Sequence, residues 1–561
     1  MSLSAHINQN IKRSLQLTES RTTAAQMEAE TVRTRPTAVF MVFGTKGDVY
    51  PIAAIAAAFA SDQKQYDVAF VTHSAHENLK GHLGAKGVEY FPIFSPPVLS
   101  SLEDNDAAGS TELPFSLQKK EITRKHRQEC LSTVERIYGE GPTIDGDLII
   151  INFFALEGWS LAELFHVRCV VAAPYVVPYS APSSFERQFR KELPLLYKYL
   201  QEAPTGKIGW EDVIHWMWPL FSEDWGTWRS HDLPLSFWPF TDPVTGLPTW
   251  HDRPSSPLLL YGFSQEVVEC PGYWPSTVRV CGFWFLPAEW QFSCDRCAEI
   301  SSLVSLRKLK AEDELCSNHA KLKTFLDSSA DQPIFISLSS VGRRALITHL
   351  VIYFILNDFS VCSMGYLRNP QAFLRVLENV LNITSHRFIL FSAGYGPLDA
   401  AIKLFAQTLS SASEQMQCSE DQSYLFGGRL FCFSGTMPYN WLFPRCAAVI
   451  HHGGSGSTAA ALRAGIPQII CPFILDQFYW AERMFWLGVA PEPLKSTSLL
   501  PDEDDYPCIV KAANVLVGAI NYALSPEVKL HASQIAKKIS TKVVFTAGIY
   551  DNGNGKKKTL H

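Results

Sequence analysis

The chain has 561 residues, enough for roughly three to four domains of ordinary size or for two large α/β domains. Hydrophobic residues make up 47% and charged residues 19%, which excludes disordered, collagenous and fibrous proteins and predicts a folded globular one. The net charge of -6 gives no reason to expect nucleic acid as a partner. The irregular spacing of the 13 cysteines excludes a small disulfide scaffold and favours a reducing, cytoplasmic location.

Both ends of the chain are polar. Residues 1–35 and residues 541–561 are therefore predicted to be flexible tails. The most hydrophobic stretch, residues 346–356, contains Thr348 and His349 and is shorter than the roughly 20 residues that span a membrane. We expect no membrane-spanning helix, and contact with a membrane surface stays open.

Predicted strands and helices alternate along the chain. Residues 37–43 form an apolar run of strand length, followed by a glycine-containing loop and a helical pattern at residues 52–60. Further strands are predicted at residues 68–71, 148–151, 169–172, 334–338, 387–391, 447–450 and 468–471. This repetition predicts an α/β protein with two doubly wound, Rossmann-like domains, in which ligands bind beyond the carboxyl ends of the strands.

The first candidate site is the loop at residues 44–51, between the first strand and the first helix. It lacks the G-x-G-x-x-G spacing, so a dinucleotide oxidoreductase is not expected. Asp48 lies near the predicted helix start, where a carboxylate ordinarily caps the helix or interacts favourably with its dipole. A carboxylate at the mouth of a cleft can equally accept a proton from a substrate hydroxyl, and spacing alone leaves both interpretations open.

The second candidate site is a glycine-rich turn at residues 451–458, placed after the strand at 447–450 and before a helix at 459–464. Backbone N–H groups at such a helix N-terminus bind phosphate oxygens, and hydroxyls and an imidazole add further donors. The loop after the next strand ends in Asp476 and Gln477, an acid and an amide of the kind that bind sugar hydroxyls.

Together, these two sites resemble those of the UDP-sugar:sterol glycosyltransferases, a branch of the inverting nucleotide-sugar glycosyltransferases with the GT-B fold. Residues 44–51 match their first-loop motif, Gly-x-(Arg/Lys)-Gly-Asp-Val-x-Pro. Residues 441–445, 451–465 and 476–477 match their donor-binding signature. The resemblance extends over residues 37–540 and implies two domains that face each other across a cleft.

The resemblance also implies how the domains divide the work. The N-terminal domain, residues 36–285, is expected to bind the acceptor, a sterol or similar apolar alcohol. After a linker at residues 286–330, the C-terminal domain at residues 331–507 is expected to bind the UDP-sugar. Helices at residues 508–540 are expected to pack back across the cleft.

Each matched site residue has an implied role. Asp48 is expected to be the general base that deprotonates the acceptor hydroxyl for in-line attack on the anomeric carbon of UDP-glucose. Asp476 and Gln477 are expected to bind the transferred glucose. The diphosphate is expected to be held by His452, Gly454, Ser455, Gly456, Ser457 and Thr458. No metal or other cofactor is expected, because the helix N-terminus and the imidazole stabilise the leaving diphosphate.

Ten of the 14 tryptophans lie between Trp210 and Trp290. Core packing and an acceptor pocket for a flat apolar molecule explain this enrichment equally well. The pocket residues, which in that case are also able to contact a membrane surface, are Trp216, Trp218, Trp225 and Trp228.

One cysteine pair has the spacing of metal ligands. Two residues separate Cys294 from Cys297, as in many zinc sites. No second Cys or His pair is recognised beside them, so we expect no zinc.

The sequence departs from the family at one loop. In the family, the strand that corresponds to residues 334–338 runs through a short polar turn into Met-Gly, whereas here Ser340 and Met364 are separated by the 23 residues 341–363. Removing them restores the family pattern, which predicts an inserted segment that obstructs the donor site or exposes apolar surface. Two functions therefore compete: an active transferase, and a catalytically impaired isoform that binds sterol, lipid or a partner protein.

Overall fold

The computed structural model of the chain describes residues 33–95, 115–139, 142–176, 181–249, 258–305, 308, 315–338, 367–392, 395–410, 422–501 and 504–540. The suspected insertion at residues 341–363, the tail at residues 541–561 and nearly all of the tail at residues 1–35 lie outside these residues. Those three predictions therefore stay predictions.

The first sheet has seven strands, all parallel. They are β1 (Thr37–Met41), β2 (Asp67–His73), β3 (Val88–Ile93), β4 (Leu148–Ile151), β5 (Arg168–Ala173), β6 (Leu259–Tyr261) and β7 (Val278–Val280). Their order is β3-β2-β1-β4-β5-β6-β7. All five residues of the central strand β1 are buried, as expected when helices cover both faces of a parallel sheet.

Helices connect the strands of this first domain. They are α1 (Lys46–Asp62), α2 (Leu79–Gly84), α3 (Phe115–Tyr138), α4 (Glu157–Leu164), α5 (Ser183–Glu192), α6 (Pro194–Gln201) and α7 (Glu223–His231). Helix α1 begins six residues before the predicted position, because Pro51 is accommodated inside it. This earlier start places Asp48 in the first turn of the helix.

The second sheet has six strands: β8 (Ile334–Ser337), β9 (Phe388–Phe391), β10 (Gln422–Leu425), β11 (Leu430–Phe433), β12 (Ala448–His451) and β13 (Gln468–Ile470). Their order is β10-β11-β9-β8-β12-β13. All neighbours are parallel except β10 and β11, which form an antiparallel pair at one edge.

The helices that precede, connect and follow these strands are α8 (Asp295–Ser305), α9 (Ala320–Asp327), α10 (Pro370–Ile383), α11 (Gly396–Ser410), α12 (Tyr439–Leu442), α13 (Ser455–Ala464), α14 (Asp476–Trp486), α15 (Ser496–Leu499), α16 (Tyr506–Ala523) and α17 (Pro526–Ser540). The prediction of an α/β protein with two doubly wound sheets is confirmed. Each of the predicted strands is present, with its bounds shifted by one or two residues or not at all.

The two domains contact each other through α14. The ring of Trp480 lies 6.5 Å from that of Phe263 and 6.3 Å from that of Phe283, both in the first domain. Arg483 of the same helix donates to the carbonyl oxygen of Val267. The helix that begins with Asp476 is therefore held against the first domain.

The last two helices pack mainly on the second domain. Helix α16 lies against α10, and α17 lies against α13 and α16. Ala532 and Ile535 of α17 belong to a buried cluster that also includes first-domain residues. Membership of this cluster does not by itself place α17 across the cleft, and that packing stays a prediction. Among the described helices, none is long and apolar enough to span a membrane by itself, and only α16 and Pro526–Ile539 together meet that test, across a 61° bend.

The expectation that Cys294 and Cys297 have no second ligand pair is wrong. Cys316 and His319 lie beside them, and one ligand atom from each of the four residues lies within 4.8 Å of every other. The overlooked signal is the Cys-x-x-His spacing of this second pair.

Candidate functional site

The candidate site lies where loops from the two sheets converge. Loops after β1 and β5 come from the first domain, and loops after β12 and β13 come from the second. All four leave the carboxyl ends of parallel strands, the edge at which such sheets bind ligands. The charge of Asp48 raises the pKa of Asp476, and both charges act on Tyr175, so residues of the two domains face each other there.

Asp48 is held by Thr45, the N-cap residue of its helix. The backbone N–H and the hydroxyl of Thr45 both donate to Asp48 Oδ2 at 2.7 Å. Gly44 has φ +115°, and a Cβ at this position would lie 2.7 Å from the same carboxylate oxygen. Among the described residues, none donates to Oδ1, so one oxygen orders the helix start while the other can receive a proton from a ligand.

The pKa of Asp48 suits a base that works near neutral pH. Burial raises it to about 6, and the bonds from Thr45, which stabilise the carboxylate, offset only part of this shift. A carboxylate with a pKa just below the working pH is ionised and still basic enough to accept a proton. The helix-cap and general-base interpretations of Asp48 are therefore compatible.

Two residues that the sequence reasoning missed brace the Asp48 loop. Asn152 donates through its side-chain amide to the carbonyl oxygen of Phe43 at 2.6 Å and accepts from the Phe43 N–H at 3.2 Å. His76 donates from Nε2 to the carbonyl oxygen of Gly44 at 3.0 Å. Asn152 follows β4 and His76 follows β2, and both of these strands neighbour β1. This placement was the signal that could have identified the two residues.

The glycines of the second loop allow close contacts that no other residue permits. Gly453 has φ +90°, and a Cβ there would lie 2.8 Å from Ile470 Cγ2 and 3.0 Å from the Gln477 carbonyl oxygen. A Cβ on Gly454 would lie 2.6 Å from His452 Nε2. The imidazole therefore lies directly against the start of α13, where N–H groups can bind an anion.

Both histidines of this loop are neutral at physiological pH. His451 accepts from the Gly453 N–H at Nδ1 (3.0 Å) and donates from Nε2 to Gln468 Oε1 (2.8 Å). Burial and the neighbouring His451 lower the pKa of His452 to about 3, although a hydrogen bond to Ser337 opposes the shift. In the free protein, His452 is therefore a neutral hydrogen-bonding group, and the helix N-terminus supplies the positive potential.

The hydroxyls of α13 differ in their surroundings. Ser457 is hydrogen-bonded to the buried hydroxyl of Tyr439, which also bonds Ser337. Thr458 is fully buried, and its hydroxyl has no hydrogen-bond partner among the described residues. Ser455 is buried and Gly456 is exposed. The turn thus combines one hydroxyl that is held by a hydrogen bond, that of Ser457, with exposed backbone at Gly456.

Asp476 and Gln477 begin α14. Trp480 Nε1 donates to Asp476 Oδ2 at 3.0 Å, while burial and the charge of Asp48 raise the pKa of Asp476 to about 7. Gln477 Oε1 accepts from the N–H groups of Phe473 and Ile474 at 2.9 and 3.2 Å. Its carbonyl oxygen therefore orders the loop, and its NH₂ group is the part that suits a sugar hydroxyl.

Tyr175 is a further site residue that sequence reasoning missed. It lies just beyond β5, is 9% exposed, and its hydroxyl has no partner among the described residues. Burial and the charges of Asp48 and Asp476 raise its pKa well above the usual value, so the phenol is neutral. A donor hydroxyl therefore lies near two carboxyl groups that belong to different domains.

The interpretation that the tryptophans contact a membrane surface is wrong for the four residues singled out. Trp216, Trp218, Trp225 and Trp228 are 1%, 4%, 6% and 5% exposed. The ring of Trp216 lies 5.7 Å from that of Trp159, and the guanidinium of Arg127 lies 4.3 Å from the centre of the Trp225 ring. These indoles pack in the core because they bury large apolar areas, and their role in an acceptor pocket stays a prediction.

Known proteins resemble this chain in sequence. Residues 431–545 match the model of the family described as "Erythromycin biosynthesis protein CIII-like, C-terminal domain". A sterol 3-beta-glucosyltransferase of Arabidopsis thaliana is 25% identical over 89% of this chain, which spans 62% of that protein. One from Debaryomyces hansenii is 25% identical over 82% of this chain, which spans 24% of that protein. The resemblance to sterol glycosyltransferases is confirmed.

The fold also has solved relatives. The crystal structure of the calicheamicin glycosyltransferase covers 91% of this chain and 96% of its own, with a TM-score of 0.50 and 13% identity. The fold is therefore that of the GT-B glycosyltransferases, as expected.

Proposed function

We propose that this protein transfers glucose from UDP-glucose to the hydroxyl of a sterol or similar apolar alcohol, with inversion at the anomeric carbon. The observation that carries the proposal is the position of Asp48, which is ordered by Thr45 and faces Asp476, whose neighbour Gln477 lies against Gly453 in the turn before α13. The sterol glucosyltransferases that resemble the chain over most of its length support the same substrates.

The donor would bind mainly to the second domain. Its diphosphate would lie at the start of α13, where the backbone N–H groups after Gly454 and the neutral imidazole of His452 donate to phosphate oxygens. The glucose hydroxyls would meet Asp476 and Gln477. With a pKa of about 7, Asp476 can both donate and accept hydrogen bonds near neutral pH.

The chemical step would be one displacement. The acceptor hydroxyl loses its proton to Asp48 Oδ1 while its oxygen forms a bond to the anomeric carbon of glucose. The bond from that carbon to the UDP oxygen breaks, and the electron pair remains on the diphosphate. Attack from the face opposite the leaving group inverts the configuration, and Tyr175 is placed to donate a hydrogen bond to a sugar or acceptor oxygen.

The second candidate function is binding without transfer. The segment at residues 341–363 follows β8 with only Leu338 to Ser340 between them, and β8 contributes Ser337 to the contacts of His452. An obstructed donor loop would leave a protein that binds sterol or a partner protein in the cytoplasm or at a membrane surface. The described residues of the site favour the transferase, because their ordered carboxylate and phosphate-binding turn serve transfer rather than sterol binding alone.

The test is turnover of labelled UDP-glucose with a panel of sterols and other apolar alcohols. We expect a glucosylated lipid whose anomeric configuration, read by nuclear magnetic resonance, is β. Asp48→Asn is the matched inactive control. Binding of sterol without any transfer, or a product with the α configuration, would contradict the proposal.

A further inference from the structure

A group of four metal-ligating side chains lies outside the candidate active site. We name it the Cys₃His cluster, and it consists of Cys294, Cys297, Cys316 and His319. Three of the four residues are buried, and Cys294 is partly exposed. None of them belongs to the loops that carry Asp48 or Asp476.

Three of the distances within the cluster are close to those of a tetrahedral site. Cys294 Sγ lies 3.7 Å from Cys316 Sγ. His319 Nδ1 lies 3.3 Å from Cys297 Sγ and 3.4 Å from Cys316 Sγ. A tetrahedral zinc ion with ordinary bond lengths separates two sulfurs by about 3.8 Å and a sulfur from a nitrogen by about 3.6 Å.

Local structure explains how the ligands converge. Cys294 and Cys297 lie just before and within the first turn of α8, so a spacing of three places them on one side of the helix. Cys316 precedes, and His319 ends, a single 3₁₀ turn, Ser317–His319, that leads into α9. The backbone N–H of Cys316 donates to Cys297 Sγ at 3.4 Å, a contact that stabilises a thiolate.

Neither a disulfide nor core packing accounts for the whole cluster. A disulfide has an S–S length of about 2.05 Å and would join only two of the four residues. None of the described cysteines forms a disulfide. Packing alone gives no reason for three thiols and an imidazole nitrogen to point at one centre.

We propose that the Cys₃His cluster binds one Zn²⁺ ion in a structural role. Three thiolates and one imidazole are ligands that zinc prefers, and four protein ligands leave no open position for a substrate. This site is separate from the proposed transfer chemistry, in which no metal takes part.

The location of the cluster indicates what the ion would hold together. Trp290 packs in the first-domain core, and its ring lies 5.2 Å from that of His82. Three residues later, Ser293 bonds the second domain, since its N–H donates to the Thr436 carbonyl oxygen at 3.0 Å. The ligand pair Cys294 and Cys297 therefore follows directly after the point where the chain crosses between the domains.

The other ligand pair is attached to the edge of the second sheet. The side-chain amide of Gln422 in β10 donates to the carbonyl oxygen of Asn318 at 2.8 Å. The ring of His319 lies 5.5 Å from that of Phe433 in β11. A zinc ion would thus fix the interdomain linker to the antiparallel strand pair of the second domain.

The test measures metal in the full chain, produced with zinc in the medium and purified under reducing conditions without a histidine tag. By inductively coupled plasma mass spectrometry we expect about one zinc per chain. Cys297→Ser should lower this content at least about fivefold and reduce thermal stability. Cys270→Ser, which removes an exposed cysteine outside the cluster, should change neither quantity.

A conservative variant keeps the test decisive if Cys297→Ser fails to fold. His319→Cys converts the site to four thiolates and should retain zinc, whereas His319→Ala should lose it. Cobalt in place of zinc should give the visible absorption of a tetrahedral thiolate site in the wild type. Three results would each overturn the proposal. They are a wild-type chain without stoichiometric zinc, zinc that is retained in both Cys297→Ser and His319→Ala, and a disulfide between Cys294 and Cys316 in the purified protein.

Discussion

Burial and the negative charge of Asp48 in the first domain together raise the pKa of Asp476 in the second domain. Asp476 is bonded to Trp480 of its own helix, and Trp480 packs on first-domain rings. The contact between domains therefore contributes to the protonation of a site residue. Any change in how the domains meet should alter the acid–base behaviour of the site.

The pH dependence of transfer should follow the ionisation of Asp48. Only ionised Asp48 can accept a proton, so kcat/KM for the acceptor should rise with pH and level off above the Asp48 pKa of about 6. Asp476 has a pKa of about 7 and carries little charge at the pH where Asp48 ionises, so Asp476→Asn should leave this rising limb of the profile near the same pH. Asp504→Asn, which changes a carboxylate paired with Arg375 elsewhere, is the control and should also leave the limb in place. A pH profile that is flat between pH 5 and pH 8 would argue against Asp48 as the base.

Asp48→Asn should separate catalysis from folding. The amide oxygen can still accept from Thr45, so the helix start is preserved, but the side chain no longer takes a proton. We expect turnover to fall by about 10²-fold or more and UDP affinity to change little. Thermal melting checks the fold, and calorimetry with UDP checks the donor site. Near-normal turnover in this variant would reduce Asp48 to a helix cap.

The start of α13 should bind the diphosphate. UDP is expected to bind more tightly than uridine, because the N–H groups there form charge-assisted bonds with phosphate. Gly454→Ala places a methyl group 2.6 Å from His452 Nε2 and should weaken UDP binding by about tenfold or more. The control is Gly518→Ala in α16, where an added methyl group meets nothing within 4 Å. Equal affinities for UDP and uridine by calorimetry would contradict a diphosphate site.

Tyr175→Phe should affect transfer without loss of stability. The hydroxyl that it removes is buried and has no partner within the described part of the chain, so the free energy of unfolding should stay equal or rise. Transfer should fall by about threefold to tenfold if the hydroxyl bonds substrate. Tyr138→Phe is the contrasting control, because the Tyr138 hydroxyl donates to the Leu148 carbonyl oxygen at 3.2 Å. Its loss should lower the free energy of unfolding and leave transfer unchanged. Unchanged kinetics for Tyr175→Phe would limit Tyr175 to packing.

Removal of residues 341–363 should raise transfer activity, because it restores the family junction between Ser340 and Met364. The measurement compares turnover and light scattering of the shortened and full-length chains at equal concentration. A shortened chain that is less active and less stable than the full one would show that the segment belongs to the working protein.

The two-sheet architecture and the loops that carry the candidate site could be predicted from the sequence. Apolar runs such as residues 37–43 and 447–450 are local patterns, and a parallel sheet buries them whatever their partners are. Glycine-rich turns after such strands, together with Asp48 and Asp476, identify the binding edge for the same reason. Short strands such as β7, with half-exposed residues, have no such signal and were missed.

How these residues act on one another depends on the folded arrangement of the chain. The neutrality of His452, the pKa of Asp476 and the placement of Tyr175 depend on burial and charge contributed by segments far apart in sequence. Packing likewise buried Trp216, whose exposure no pattern specified. The Cys₃His cluster formed because two short pairs met at the domain junction, and the geometry of that meeting is a property of the folded chain.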